Sequence, residues 1–165
     1  MEINKLKIFL SDCDGVLTDS GMYYFEDGNE AKKFNTRDGM GFKILKEKNI
    51  KIGIITGENT NIVKKRAEKL KLDILYTGIK NKGKVLDEIC NTYKVSYEEV
   101  AYVGDDINDI EIIEKVKMSF CPRDAHKEVK ERVQYVMNTN GGQGVIRDIV
   151  DSFFRGRKWK QKIKK

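Results

Sequence analysis

Two pairs of aspartates, Asp12 with Asp14 and Asp105 with Asp106, each follow a short apolar run. Carboxylates this close repel one another, and a phosphate dianion would add several kcal/mol of repulsion per close pair at an effective dielectric constant of about 20. A cation is therefore needed, and an oxygen-only ligand set around a phosphate favours Mg²⁺. The residue types predict a magnesium-dependent site for phosphate chemistry.

Three further residues have the chemistry to bind the phosphate itself. Thr56 and Gly57 follow another apolar run and offer a hydroxyl and backbone N–H groups close to a predicted helix start, which suits an anion. Lys82, at the start of the next predicted helix, offers a fixed positive charge to a phosphoryl group. Each feature alone is common at turns, caps and solvated helix ends. Their order along the chain makes the combination specific.

The elements that must position these residues alternate between short apolar runs and longer segments of helical periodicity. This alternation predicts an α/β fold, a parallel sheet with helices on both faces. The predicted strands, apolar on successive positions as buried parallel strands are, are 7–10, 52–55, 74–76, 100–103 and 118–121. The predicted helices are 39–48, 60–70, 82–93, 107–116, 127–133 and 145–154. Parallel strands bind ligands at their carboxyl ends, where the candidate residues lie.

One segment interrupts this alternation. The aromatic run Met22–Phe25, the turn-prone Glu26–Asn29 and the following Glu30–Asn35 predict a small β-hairpin,. Because the hairpin comes just after the first strand and its loop, it is placed to act as a flap over the site.

The ordered set of motifs resembles the haloacid dehalogenase (HAD) superfamily. Motif one covers Phe9–Asp19, motif two is Thr56, motif three is Lys82 and motif four is Gly104–Asp109,. The resemblance implies a HAD-like Rossmannoid fold and hydrolysis of a phosphate monoester. A phosphatase or phosphomutase of ordinary hexose phosphates is the alternative. A mutase must keep its intermediate away from water, so the absence of a cap domain argues against that reaction.

The resemblance also implies a role for each motif residue. Asp12 would attack phosphorus and form an aspartyl-phosphate. Asp14 would be the general acid and base, and its backbone carbonyl would join the Asp12 and Asp105 carboxylates around Mg²⁺. Thr56 and Lys82 would bind the phosphoryl oxygens.

Three polar residues of motif four and the histidine at a later helix start have alternative interpretations. Asp106, Asn108 and Asp109 would order metal-bound water and the loop, with helix capping as the alternative for the last two. His126, the only histidine, stands at a predicted helix start, where capping or packing is a commoner role than general base.

The spacing of the motifs leaves no room for a cap domain. Between Asp14 and Thr56 only the hairpin and one helix fit, and between Lys82 and Asp105 only one helix and one strand fit. A capless site must obtain its walls elsewhere, most economically from neighbouring subunits. A homo-oligomer is therefore expected.

Further motifs resemble the capless subgroup that dephosphorylates 3-deoxy-2-ulosonic acid phosphates. Its substrates are the eight-carbon KDO 8-phosphate and the nine-carbon KDN or sialic acid 9-phosphates, and the resemblance implies a homotetramer. The matching segments are Asp14–Asp19, Arg37–Gly39, Gly78–Lys82, Ala101–Asp106, Asp124–His126 and Gly141–Arg147.

The candidate substrate-binding residues are Gly15, Arg37, Gly57 and Glu58. The planar fork of Arg37 suits a substrate carboxylate, with a surface ion pair as the alternative. In the eight-carbon branch the position of Glu58 is typically Arg, so this carboxylate resembles the nine-carbon branch. Arg37–Gly39 and Asp124–His126 look more like the eight-carbon branch. The sequence as a whole slightly favours a nine-carbon sugar-acid phosphate as the substrate.

The basic charge is concentrated at the end of the chain. The net charge is +6, but residues 155–165 hold 7 of the 32 basic residues and no acidic one, so the rest carries 25 basic against 26 acidic residues. Such a tail is usually a solvated extension, and nucleic-acid binding is the less favoured alternative. We expect a phosphatase domain over 1–154 and a basic tail over 155–165.

Length and composition predict one globular domain. No apolar run approaches the roughly 18 to 20 residues of a membrane span, and Met1–Leu10 lacks the apolar core of a signal peptide. We therefore expect a cytoplasmic protein. Cys13, Cys90 and Cys121 are widely spaced and are expected to be free thiols.

Overall fold

A computed structural model describes residues 5–154. Six parallel strands form one sheet in the order β5-β4-β1-β6-β7-β8, and two short antiparallel strands, β2 and β3, form the hairpin. The strands are β1 Ile8–Ser11, β2 Tyr23–Tyr24, β3 Glu30–Ala31, β4 Lys51–Ile55, β5 Ile74–Tyr76, β6 Val100–Val103, β7 Met118–Cys121 and β8 Tyr135–Val136. The predicted fold class is confirmed. The two residues of β8 were not predicted because so short a run has no readable periodicity.

The helices connect these strands much as expected. They are α1 Thr36–Glu47, α2 Asn61–Leu70, α3 Lys82–Tyr93, α4 Ile110–Lys115, α5 Lys127–Arg132 and α6 Val145–Ile149. The first begins three residues before the predicted Gly39 because the side chain of Asn35 accepts a bond from the Arg37 N–H at 2.9 Å and caps it,. The predicted helix 107–116 begins instead with the 3₁₀ turn Ile107–Asp109, and 145–154 ends in the π turn Val150–Phe154.

Helices cover both faces of the sheet, as predicted. The side chains of β1 alternate between two separate apolar cores, with Phe9 in one and Ile8 and Leu10 in the other. The first core includes residues of α1, α2 and α6, and the second includes residues of α3, α4 and α5. Burial on both sides explains why the strand sequences are apolar without alternation.

The order of the strands sets the position of the site. From the central β1 the chain moves to β4 and β5 on one side, then returns to β6, β7 and β8 on the other. In open parallel sheets the crevice at such a reversal, beyond the carboxyl ends of the strands, is where ligands bind. Motif one follows β1, Thr56 follows β4, and motif four follows β6.

Between β1 and α1, the hairpin is the only additional element of secondary structure. Its strands are shorter than the predicted 22–25 and 30–35, with two residues each, and Gly28 turns between them at φ +83°. No cap domain is present between β1 and β8. Among the described residues, no helix is long and apolar enough to cross a membrane. The three cysteines are buried thiols that form no disulfide with one another.

Candidate active site

The ends of β1 and β6 bring two of the predicted carboxylates together. The backbone N–H of Asp12 donates to the Val103 carbonyl at 2.8 Å, which continues the pairing of the two strands by one residue. Carboxylate oxygens of Asp12, Asp105 and Asp109 all lie within 4.8 Å of one another. A compact group of three carboxylates therefore occupies the crevice at the carboxyl end of the sheet.

Lys82, the first residue of α3, places a buried ammonium among these carboxylates. Its Nζ lies 3.0 Å from Asp12 Oδ2 and 2.7 Å from Asp109 Oδ1, and its side chain is 1% exposed. Burial lowers the pKa of Lys82, but the charges of Asp12 and Asp109 outweigh that effect and raise it overall. The ammonium stays charged, and because two carboxylates hold it, its position is fixed.

Asp109 is fully buried and accepts four hydrogen bonds. Oδ1 accepts from Lys82 Nζ at 2.7 Å and from the Tyr102 hydroxyl at 2.5 Å, while Oδ2 accepts from the backbone N–H groups of Asp105 and Asp106 at 2.9 and 3.2 Å. These contacts connect the motif-four loop to Lys82. With its lone pairs occupied in this way, Asp109 is suited to order the loop rather than to ligate a metal ion.

The residues around Asp105 fit a divalent cation. Asp105 Oδ1 is buried and has no hydrogen-bond partner among the described residues. Burial, followed by the charges of Asp12 and Asp109, raises the pKa of Asp105 to about 8, and burial together with Asp109 also raises the pKa of Asp12. A bound cation would satisfy the unpartnered oxygen and relieve the repulsion.

Gly15 lets Asp105 approach the motif-one loop. Its φ is +79°, and a Cβ at this position would lie 1.8 Å from Asp105 Oδ2. Any larger residue would therefore displace the carboxylate. The structure gives Gly15 this steric role, while its contact with substrate stays a prediction.

The Asp14 side chain lies apart from the three-carboxylate group. Both of its oxygens accept hydrogen bonds from Lys32 Nζ at 2.7 Å, and Oδ1 also accepts from the Thr18 hydroxyl at 3.2 Å. Asp14 is 28% exposed, whereas the Lys32 side chain is 1% exposed. The sequence did not single out Lys32, because one lysine in a chain of 32 basic residues carries no signal of its own.

Thr56 and the two residues after it line the other side of the crevice. Thr56 is buried at the end of β4, and its Oγ1 accepts a hydrogen bond from the Glu58 N–H at 3.2 Å. The hydroxyl hydrogen of Thr56 can therefore be donated to a phosphoryl oxygen of the substrate. Gly57 and Glu58 are exposed. The charge of Glu58 contributes to raising the pKa of Lys32, which places this carboxylate within electrostatic reach of the hairpin.

The remaining candidates lie around this centre. Arg37 is exposed in the first turn of α1 and forms no ion pair with another described residue. Asp106 accepts a bond from the Ile107 N–H at 2.7 Å, and Asn108 is exposed. His126 caps α5 by accepting a bond from the Glu128 N–H at 3.3 Å.

Fold and site together define a family. Haloacid dehalogenase-like hydrolases match residues 75–149. With the relatives described next, this shows that the chain belongs to the haloacid dehalogenase-like hydrolases and is a phosphatase that cleaves phosphate monoesters.

Several of the proteins that this chain resembles are named as sugar-acid phosphatases. The 3-deoxy-D-manno-octulosonate 8-phosphate phosphatase of Salmonella typhi is 37% identical over 146 residues, which cover 88% of this chain and 78% of the relative. A probable YrbI-family phosphatase from Pseudomonas syringae pv. phaseolica superposes with a TM-score of 0.87 at 37% identity, over 90% of this chain and 84% of the other. The Moraxella catarrhalis 3-deoxy-D-manno-octulosonate 8-phosphate phosphatase, solved with magnesium, phosphate and KDO, superposes with a TM-score of 0.86 at 27% identity, over 88% and 84% of the two chains.

Proposed function

We propose that this protein is a Mg²⁺-dependent phosphatase of 3-deoxy-2-ulosonic acid phosphates, with KDO 8-phosphate as the first candidate substrate. The names of its relatives support the substrate class. The observation that carries the proposal is the position of Asp12. It lies at the end of the central strand, 3.0 Å from the Lys82 ammonium and beside the Asp105 carboxylate.

The reaction follows in two steps. An Asp12 oxygen forms a bond to phosphorus while the bond from phosphorus to the sugar oxygen breaks, and Asp14 gives its proton to that leaving oxygen. Water then attacks the aspartyl-phosphate, Asp14 takes a proton from the water, and inorganic phosphate leaves with Asp12 restored. Lys82 and Thr56 are placed to bind the phosphoryl oxygens through both steps.

Mg²⁺ would be held by the carboxylates of Asp12 and Asp105 and the backbone carbonyl of Asp14. When bound, it would supply positive charge where the phosphate and these carboxylates meet. Asp106, Asn108 and Asp109 would support this site from the surrounding loop.

Phosphate release from a panel of sugar-acid and hexose phosphates tests the proposal. We expect turnover of a 3-deoxy-2-ulosonic acid phosphate with Mg²⁺, its loss on chelation, and its return when Mg²⁺ is restored. Preference for an ordinary hexose phosphate would contradict the substrate class. Chelator-resistant turnover would contradict the metal requirement.

A nine-carbon acid is the second candidate because of Glu58. This exposed carboxylate follows Thr56 at the mouth of the site, where it can accept hydrogen bonds from substrate hydroxyls but repels a carboxylate. If Glu58 contributes to substrate selection, kcat/KM will be higher for KDN or N-acetylneuraminate 9-phosphate than for KDO 8-phosphate. Glu58→Arg will then narrow or reverse that ratio.

Glu98→Arg is the matched control for this charge reversal. Glu98 is also exposed, but it lies in the 3₁₀ turn before β6. This turn is at the amino ends of the strands, whereas the site is at their carboxyl ends. The control should leave the substrate ratio unchanged. An eight-carbon preference that Glu58→Arg leaves unaltered would show that Glu58 does not select the substrate.

We also propose that neighbouring copies complete the site, as a homotetramer. The hairpin presents four large apolar side chains to solvent, 44 to 72% exposed: Met22, Tyr23, Tyr24 and Phe25. An exposed apolar cluster of this kind favours contact with another protein surface. Light scattering coupled to size exclusion should give four chains per particle, and a monomeric active enzyme would contradict this arrangement.

A further inference from the structure

The stem of the hairpin is attached to the motif-one loop by two successive lysines. Lys32, the residue after β3, pairs with Asp14, and the next residue, Lys33, pairs with Asp19 at 2.5 Å. The two pairs differ sharply in burial, since the Lys33 side chain is 64% exposed and that of Lys32 is 1% exposed. Exposed ion pairs contribute little to stability. The half-buried pair, in which only the lysine side chain is shielded from solvent, requires a separate explanation.

The geometry of the Lys32–Asp14 pair is that of an orienting contact. One ammonium bonds to both carboxylate oxygens at 2.7 Å, so the plane of the Asp14 carboxyl group is defined from one side. Thr18 adds a third bond to Oδ1 at 3.2 Å. Asp14 nevertheless remains 28% exposed, so the group is held firmly and still open to a reacting oxygen in the crevice.

Lys32 keeps its charge in this position. Burial lowers the pKa of Lys32, but hydrogen bonding and the charge of Asp14, with smaller effects of Cys13 and Glu58, raise it overall. A charge-assisted hydrogen bond of this kind is about twice as strong as a neutral one. The pair is therefore suited to hold the Asp14 carboxyl group in one orientation.

We propose that Lys32 is a positioning residue that aligns Asp14 for proton transfer to the leaving oxygen of the substrate and binds the carboxylate that remains on Asp14 once the proton has left. This inference rests on the proposed role of Asp14 as general acid. It makes the flap part of the proton-transfer machinery, because the lysine comes from the hairpin and the acid from the motif-one loop. If the pair only fastened the hairpin, its loss would affect all substrates alike.

Leaving-group dependence separates these two roles. General acid catalysis, which contributes about 10²- to 10⁴-fold, matters for a poor leaving group and hardly at all for one that departs without a proton. The measurement is kcat/KM for phenyl phosphate and 2,4-dinitrophenyl phosphate with Mg²⁺ present. The ratio of the two values on one enzyme preparation does not depend on the fraction of folded protein.

We expect Lys32→Met to lower kcat/KM for phenyl phosphate by about 10- to 100-fold, and that for 2,4-dinitrophenyl phosphate by less than about threefold. Lys32→Arg should restore part of the loss because it keeps a cationic donor. Lys33→Met, the matched change in the exposed pair, should leave the ratio unchanged.

Asp14→Asn is the reference variant that distinguishes failure of the Lys32 inference from failure of the proposed Asp14 role. If Asp14→Asn selectively impairs phenyl phosphate but Lys32→Met lowers both substrates equally, the positioning role of Lys32 is overturned and the role of Asp14 stands. If Asp14→Asn itself lowers both substrates equally, the proposed general acid is wrong and the inference about Lys32 falls with it.

Discussion

Removing the metal should make the stability of this protein fall as the pH rises. In the metal-free protein, burial and then the neighbouring Asp12 and Asp109 charges raise the pKa of Asp105 from 3.8 to about 8. A carboxyl group with a higher pKa in the folded chain than in the unfolded chain binds its proton more tightly when folded. Its contribution to stability is therefore complete below the unfolded pKa and is lost as the pH rises through the folded one.

The size of the effect follows from the shift. About four pKa units correspond to about 6 kcal/mol in the free energy of unfolding, at about 1.4 kcal/mol per unit. That loss accrues over the whole interval between the two pKa values, and the part between about pH 6.5 and about pH 8 is about 2 kcal/mol, which solvent screening of the partly buried Asp105 reduces to about 1 kcal/mol. For a chain of this length that is a fall of about 2 to 4 °C in Tm.

Thermal unfolding in a chelator, from about pH 6.5 to about pH 9, measures the effect. Asp38 is another carboxyl group whose pKa is raised by burial, to about 6, so its contribution is mostly lost before this window begins. Added Mg²⁺ binds the deprotonated carboxylates, so the rise in Tm on adding Mg²⁺ should grow with pH. Asp105→Asn should reduce the slope of the metal-free profile because an amide does not titrate, and a smaller slope should remain because burial, followed by the charge of Asp109, raises the pKa of Asp12 to about 7.

Two results would refute this reasoning. The first is a metal-free Tm that stays level or increases across the window in the unmodified protein. The second is an increase in Tm on adding Mg²⁺ that has the same size at both ends of the window. Either would show that Asp105 does not bind its proton more tightly in the folded state.

Three further changes test the site and the tail. Asp12→Asn should keep the fold, checked by circular dichroism, and abolish phosphate release because an amide does not attack phosphorus; substantial turnover in the folded variant would rule out this nucleophile. Tyr102→Phe should lower the free energy of unfolding in urea by about 2 kcal/mol, since it removes a buried hydrogen bond to the charged Asp109,; an unchanged midpoint would argue against that bond. Truncation after Phe154 should raise KM for the sugar-acid phosphate more than for an aryl phosphate if Arg155 or Arg157, which lie outside the described residues, reach a neighbouring site; equal effects would favour a solvated tail.

The sequence by itself determined the fold class and the edge of the sheet that carries the site. Strands buried on both faces are apolar at successive positions, so β1, β4 and β6 are readable as strands,. Asp12 comes directly after β1, and Asp105 is the second residue after β6. Their convergence follows because neighbouring parallel strands end at the same edge.

Only the tertiary structure decided which charged groups pair. Lys32 meets Asp14 across 18 residues and Lys82 meets Asp109 across 27 residues, and no local periodicity encodes contacts over such separations. In the sequence, Tyr102 resembles one more apolar residue of strand β6. In the structure it is fully buried, and its hydroxyl donates a hydrogen bond to Asp109 at 2.5 Å. A buried polar group must find a partner wherever the packing of other elements places one. Which partner it finds therefore depends on the complete fold rather than on the residue and its neighbours along the chain.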